Sequence, residues 1–366
     1  MNKKYSNIRA MLAIAKASLR SIVRNPSSVV FSLVFPLIFI VVFGFIGGGR
    51  SSFDIAVTKN SDRNNPVYQS LLQVSSFRIA ESEDDNSTIQ SLEKGHFDAV
   101  LDIKKNPEGT FPAFSVEVKT NKSTPEKSNL CKLILAQVID RVNSKGQKPE
   151  MQVVEIKETD VQGRLFKTID FILPGQLGFS ILSAGVFGTA FVFILLRDTL
   201  VIKRFFATPI KRKYIILGEA LSRLIFSISG SIIIILIGHF FFGFTLVNGV
   251  VTVLNMLAVS VLGLLVFLGF GFMVSNIAKS VNAVPPIANL ITLPQFLLAG
   301  TFFSIDNFPG WLQPISRALP LTYLNDALRK IAFDGATIFT LPKEMLILVG
   351  WGVVVYFFAI KFFKWE

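Results

Sequence analysis

The chain has 366 residues, 51% of them hydrophobic and 17% charged, with 36 Phe and a formal net charge of +12. Soluble domains carry roughly a quarter charged residues, so a chain this apolar needs lipid as part of its solvent. The apolar fraction excludes intrinsic disorder, 25 Gly without a triplet period exclude collagen, a lone Cys131 excludes a disulfide scaffold, and two histidines, His96 and His239, with one thiol are too few for a His/Cys metal cluster.

In chain order, residues 1–26 carry Lys3, Lys4, Arg9, Lys16, Arg20 and Arg24 without an acid. The spacing predicts a helix from Ile8 to Arg24. Its apolar side chains fall within an arc of about 120°, and Arg9, Lys16, Arg20 and Arg24 within a neighbouring arc of about 80°. Such an amphipathic helix lies in a membrane surface. It serves either as a plain lipid anchor or as an interface helix that also touches a cytoplasmic partner. Asn25-Pro26 ends it and leads into a first span at 27–48, inside a charge-free run. That run is longer than the apolar stretch of a secretory signal, and Ile46-Gly47-Gly48-Gly49-Arg50 is a poor cleavage site, so it reads as an uncleaved signal anchor.

Residues 49–168 have the composition of a soluble unit. Strands are predicted at Ile55–Thr58, Asp98–Ile103, Ser115–Lys119 and Met151–Ile156. Helices are predicted at Val67–Val74, Ile89–Gly95 and Leu130–Val142. Interleaved helices and strands point to a small extracytoplasmic α/β layer domain. Glu81, Glu83, Asp84 and Asp85 form an acidic run that reads as a solvated loop more readily than as a cation site. His96 follows the helix stop at Gly95, and Cys131 reads as a small packed residue.

Residues 169–366 hold the remaining spans. Phe171–Leu196 is charge-free, Leu224–Ala278 is uncharged over 55 residues and accommodates two spans joined at Gly243–Gly249, Ser280–Ile305 supplies a fifth, and Met345–Ile360 a sixth. The fold class is therefore a mostly α, polytopic membrane protein with six transmembrane helices and the α/β domain inserted after the first. Ser180, Ala184 and Gly188 recur every four residues in span two, which lets helices approach along a pathway, at a dimer contact or in static packing. Pro285, Pro286 and Pro294 are expected to bend span five, where Asn289, Thr292 and Gln295 lie on one side. Uncharged donors there suit an amphiphilic or lipid-like cargo. His239 is placed near the outer end of span three as an interfacial hydrogen bonder, and 304–342 as a re-entrant or interfacial segment capping the outer end.

The basic excess lies on one side. Residues 1–26, 197–213, Lys279 and the C-terminal tail together hold 15 basic and two acidic residues, against 17 of each over 49–168. Both termini are then cytoplasmic, as six spans require.

Residues 197–219 contain KRFFATPIKRKYIILGE, in which Phe205 and Phe206 sit among basic residues and Thr208-Pro209 breaks the helix. An apolar pair on such a loop needs a cover, either headgroups or protein. This stretch, in which Asp198, Arg204, Thr208, Pro209 and Gly218 match, resembles the type-2 membrane subunits of ATP-binding-cassette exporters. Leu200 stands where that family usually has glycine, and Glu219 where lysine often follows Gly218. A second stretch, LPQFLLAGTFFSIDNFPGWLQPISRALPLTYLNDALRKIAFDG at 293–335, is similar to the family's C-terminal signature, with an amphipathic helix at Leu319–Lys330. Ser91–Ile103 resembles the family's outer domain.

The resemblance implies an export permease in a bacterial inner membrane. Two such subunits, identical or not, pair around a pathway, and a separate cytoplasmic ATPase docks on 197–219 and the N-terminal helix. Phe205 and Phe206 would be the apolar plug and Arg204, Lys211 and Arg212 an electrostatic rim. Glu219 with Arg223 would form an i,i+4 pair, either stiffening the start of span three or sitting at the headgroup boundary. No glycine in the chain is followed by lysine, so a phosphate-cradling loop is not written here. The subunit itself would be no enzyme and would bind no cofactor. ATP and Mg would belong to the partner. The competing reading is a membrane-anchored receptor or assembly scaffold working through its outer domain. Nucleic-acid binding is disfavoured because the basic residues hug the membrane ends.

Overall fold

The computed structural model describes residues 6–24, 30–46, 53–74, 76–82, 84–107, 112–121, 125–144, 154–161, 167–200 and 209–362. The chain divides into two compact units, one made of 1–47 with 167–366 and the other of 48–166.

The smaller unit is a five-stranded sheet of order β2-β1-β3-β4-β5, with β1 at Phe53–Val57, β2 at Phe77–Glu81, β3 at Ala99–Lys105, β4 at Phe114–Asn121 and β5 at Val154–Val161. β1 pairs in parallel with β2 and β3, β3 pairs antiparallel with β4, and β4 pairs in parallel with β5. Each parallel step needs a crossover helix, and these are α3 (Pro66–Leu72), α4 (Asp85–Glu93) and α5 (Pro125–Ser144). The chain leaves β1 toward one neighbour and then returns past it to the other. Right-handed crossovers consequently place α3 and α4 on opposite faces.

Alternation in β3 follows from this: Ala99, Leu101 and Ile103 join the core under α3 and α5, while Val100 joins Leu92 of α4. Asn65 and Asp84 cap α3 and α4 by accepting from the backbone N–H of Tyr68 and Ser87. Cys131 is buried in the α5 core, and burial pushes its thiol up to about 12, which makes it a packing residue and not a nucleophile. Asp84 and Asp85 are used locally, since the Asp85 carboxylate accepts from Lys59 N and Asn60 Nδ2. Among the described residues no group of three His, Cys, Asp or Glu side chains is placed to hold a metal.

The larger unit begins with α1 (Asn7–Arg24), then a π-turn at Val30–Val34 that runs into α2 (Phe35–Ile46). Pro36 lacks the N–H that would bond one turn back, which accounts for the widened turn before it. Next come α6 (Thr168–Asp198), α7 (Arg212–Phe242), α8 (Val250–Ile277), α9 (Val284–Leu298), α10 (Gln313–Ala318), α11 (Pro320–Arg329) and α12 (Pro342–Phe362). Among the described residues five helices are long and apolar enough to cross a membrane: α6, α7, α8, α9 with the turn before it, and α12. The helical path over 30–46 is shorter and is not one of them.

Central to the unit is the crossing of α6 and α8. A Cβ on Gly271 would lie 2.6 Å from the Gly185 carbonyl oxygen and 2.8 Å from that of Val186, so glycine sets this approach. The reversal between α7 and α8 uses Gly243 and Gly249, both at positive φ. It is tied to the start of α6, where Asp170 accepts from Thr245 N at 2.8 Å. His239 Nδ1 is 2.9 Å from the Phe244 carbonyl oxygen in the same turn. Pro285 and Pro286 occupy the first positions of α9, where a proline starts a helix instead of bending it; Pro294 alone lies inside.

Candidate functional site

α1 packs along the first three turns of α7. Lys211 N donates to Asn7 Oδ1 at 3.1 Å, Ile14 lies over Gly218, and Ser222 Oγ is 3.0 Å from Ser18 Oγ. These three pairs share one separation, since 211 − 7, 218 − 14 and 222 − 18 all equal 204. A constant offset over eleven residues means that the two helices run side by side in the same direction. Ala15, Ser18 and Ile22 are buried in this contact. A Cβ on Gly218 would stand 2.9 Å from the Met11 carbonyl oxygen, so glycine is required for the approach.

Two ionisable side chains lie inside the junction, Glu219 at 7% exposure and Arg223 at 4%. Each has its own partner. Ser18 Oγ donates to Glu219 Oε2 at 2.7 Å, and the Ser222 hydroxyl donates to the Glu219 carbonyl at 2.7 Å. Arg223 Nη2 donates to the Gly188 carbonyl oxygen of α6 at 2.6 Å. Glu219 and Arg223 attract one another one turn apart on α7, and their hydrogen bonds run to different neighbours, α1 and α6. Both line one small cavity, together with Thr189 and Phe193 of α6 and Leu268 and Phe272 of α8.

The other predicted interface residues divide into three groups. Arg9, Lys16, Arg20 and Arg24 are exposed on α1, next to exposed Ile8, Leu12 and Val23. Pro209 and Lys211 are exposed just before α7, which Arg212 opens. Arg204, Phe205, Phe206 and Thr208 lie outside the described residues.

The residues assigned to a pathway or dimer contact are distributed as follows. Ser180 and Ala184 are buried within the chain, and Gly188 lies under the Arg223 guanidinium. Thr292 and Gln295 are buried on α9, bonding back to Ala288 and Ile291, while Asn289 is half-buried. Sequence reasoning missed Gln176 and Ser183 on α6. Both are buried, and among the described residues neither amide atom of Gln176 nor the Ser183 hydroxyl has a hydrogen-bond partner. Near them Phe35 and Phe39 of α2, Phe179 of α6, Phe296 of α9 and Phe302 form one ring cluster, with the Phe179 and Phe296 centroids 4.0 Å apart. A lone polar residue in an apolar run carries no periodic signal, but unpartnered buried amides are rare enough to mark a place.

A family model described as ABC-2 type transporter matches residues 130–333, more than half of the chain. The chain is 21% identical over 364 residues to the "Probable multidrug ABC transporter permease YbhS" of Escherichia coli strain K12, covering 94% of each chain. The same figures hold for the protein of that name in Escherichia coli O157:H7.

Proposed function

The chain belongs to the ABC-2 type transporter family, and from that premise we propose that it is the membrane-spanning permease subunit of an ATP-driven exporter. The subunit crosses an inner membrane six times, with 27–48 as the first span, both termini on the cytoplasmic face and the sheet unit outside. It pairs with a second permease subunit, and a separate cytoplasmic ATPase docks on 197–219 and α1. The observation that carries this reading is the junction of α1 with α7. A basic helix is held to the start of an apolar span by the buried Glu219 carboxylate, and Arg223 bonds the span in turn to its neighbour α6. Energy delivered to the exposed side of α1 and to the loop before Arg212 has a polar route into the helices.

The proposed cargo is a hydrophobic or amphiphilic compound, a drug or a lipid-like molecule. Gln176, Ser183, Thr292 and Gln295 offer donors and acceptors without a net charge, and the phenylalanine cluster offers apolar surface. The relatives' description as multidrug permeases agrees with this chemistry.

The test is to replace Phe205 and Phe206 together by Asp and to purify the native complex. Loss of the copurifying ATPase, with wild-type amounts of folded permease, is the expected result. Retention of the ATPase and of its stimulation, together with loss of activity on deleting 55–160, would instead identify a receptor or scaffold acting through the sheet unit.

A further inference from the structure

Glu219 and Arg223 stand one turn apart on α7, acid before base, the spacing and order at which such residues pair along a helix. Both nevertheless bond to other elements, and glycine lies at each contact: Gly218 beneath α1, Gly188 beneath the Arg223 guanidinium. We propose that Glu219 and Arg223 are positioning residues of a two-sided clamp, Glu219 fastening α1 through the Ser18 hydroxyl and Arg223 fastening α6 through the Gly188 carbonyl. Displacement of α1 is thereby carried by α7 to α6. The clamp rests on the export reading above for its purpose, though not for its geometry.

Burial makes both bonds necessary. An ionised side chain away from water is retained only when hydrogen bonds replace its hydration. Glu219 accepts a hydrogen bond from Ser18, and the Ser222 hydroxyl, which donates to the Glu219 carbonyl, stands 3.0 Å from the Ser18 oxygen, so that short contacts hold α1 at one serine. On the other side the partner is a main-chain oxygen, which no substitution at position 188 removes. The two sides differ in kind. A hydroxyl donates or accepts, whereas a carbonyl oxygen only accepts. An acid at 219 is therefore replaceable by any group that accepts from Ser18, but position 223 demands a donor.

This asymmetry separates a clamp from an ion pair. In a clamp, Glu219→Gln keeps an acceptor for Ser18 and preserves the junction, while Glu219→Ala and Ser18→Ala open it. The exchanged double variant Glu219→Arg with Arg223→Glu opens the α6 side, because a carboxylate at 223 faces the Gly188 oxygen. In an ion pair, Gln fails as Ala does, and the exchanged variant recovers.

The measurement is amide hydrogen exchange of residues 7–24 and 180–195 in the full-length chain, purified in detergent without nucleotide. Exchange of 7–24 is expected to rise about tenfold in Ser18→Ala and Glu219→Ala, and to stay at the wild-type rate in Glu219→Gln. The exchanged double variant raises exchange in 180–195. Wild-type protection in the exchanged variant, or a Gln variant as open as the Ala variant, overturns the proposal. Copurification of the ATPase with the wild-type chain is scored in parallel. Its absence removes the export reading and leaves the exchange pattern to judge the clamp.

Discussion

Gly188→Ala perturbs the contact between α6 and α7 with the smallest possible change. A Cβ at 188 would overlap the Arg223 guanidinium, standing 2.8 Å from Cζ and 3.3 Å from Nε. Arg223 is flexible and can retreat, but retreat breaks its 2.6 Å bond to the Gly188 oxygen. A hydrogen bond to a charged group contributes about 1.5–3 kcal/mol. Alanine in place of glycine adds back about 1 kcal/mol of helix propensity. The net expectation is a loss of about 0.5–2 kcal/mol. Gly350→Ala is the matched control, since nothing lies within 4 Å of a Cβ there. Propensity cancels between the two variants, which leaves a difference of about 1.5–3 kcal/mol attributable to Arg223. Both are measured by unfolding in mixed micelles with increasing denaturing detergent. Equal stability of the two alanine variants would refute the assignment of Arg223 to Gly188.

Gly271→Ala presses against main-chain oxygens of Gly185 and Val186, which have no rotamer to escape into, and should cost about 1–3 kcal/mol in the same assay. Gly263→Ala, which meets the Leu324 methyl groups, should cost less because that side chain can turn. In the sheet unit, Asp102 accepts from Thr58 at 2.9 Å and pairs with Lys104 at 2.7 Å. Burial alone would raise its carboxyl, but bonds from Lys104, Thr58 and Ser61 outweigh that and hold it below the usual 3.8. Its stabilising contribution is therefore complete above that pH and is lost as the pH falls through the lower folded value. Asp102→Asn should weaken amide protection of β1 and β3 at neutral pH, and the gap from wild type should close in acid below pH 3.8. A gap that widens in acid would contradict the sign.

The charge-free runs located α6, α8 and α12 within a few residues, because in lipid a helix must be both apolar and long. α7 begins at Arg212, as the break at Thr208-Pro209 with a new helix from Lys211 leads one to expect, though its uncharged run opens only at Leu224. Glu219 and Arg223 look like a boundary in sequence, yet partners from α1 and α6 let the helix continue through them. β2 escaped notice for a related reason. Phe77-Arg78-Ile79-Ala80-Glu81 is only five residues long, lacks a β-branched run and sits at the edge of the sheet, where its pairing with β1 decides its conformation. Ile55–Thr58 and Asp98–Ile103 were legible because central strands are apolar on both faces. The doublet Pro285-Pro286 is ambiguous from sequence, since proline bends a helix or opens one, and only the chain before it settles which. Gln176 had no signature at all, being one amide in an apolar run.

The polar bonds of α6 place its fixed points. Asp170 holds the turn after α7 through Thr245, and the Gly188 oxygen holds the start of α7 through Arg223. Eighteen residues separate 170 from 188, about 27 Å of helix, close to the roughly 30 Å of a hydrocarbon core. Charged bonds thus bracket the apolar thickness, and between them α6 meets α8 through glycines, where helices touch without polar ties. The part of α7 before Arg223 then lies beyond the bracket, and this is the part that α1 accompanies. In the proposed clamp, such a helix bonded at the edge of the bracket acts on α6 as a lever acts on a pinned strut. By contrast, among the described residues no charged side chain of α9 bonds to α6, and the two helices meet in a layer of phenylalanine rings. Rings slide more easily than ion-dipole bonds break, so relative motion on loading α1 should fall between α6 and α9, beside Gln176 and Ser183.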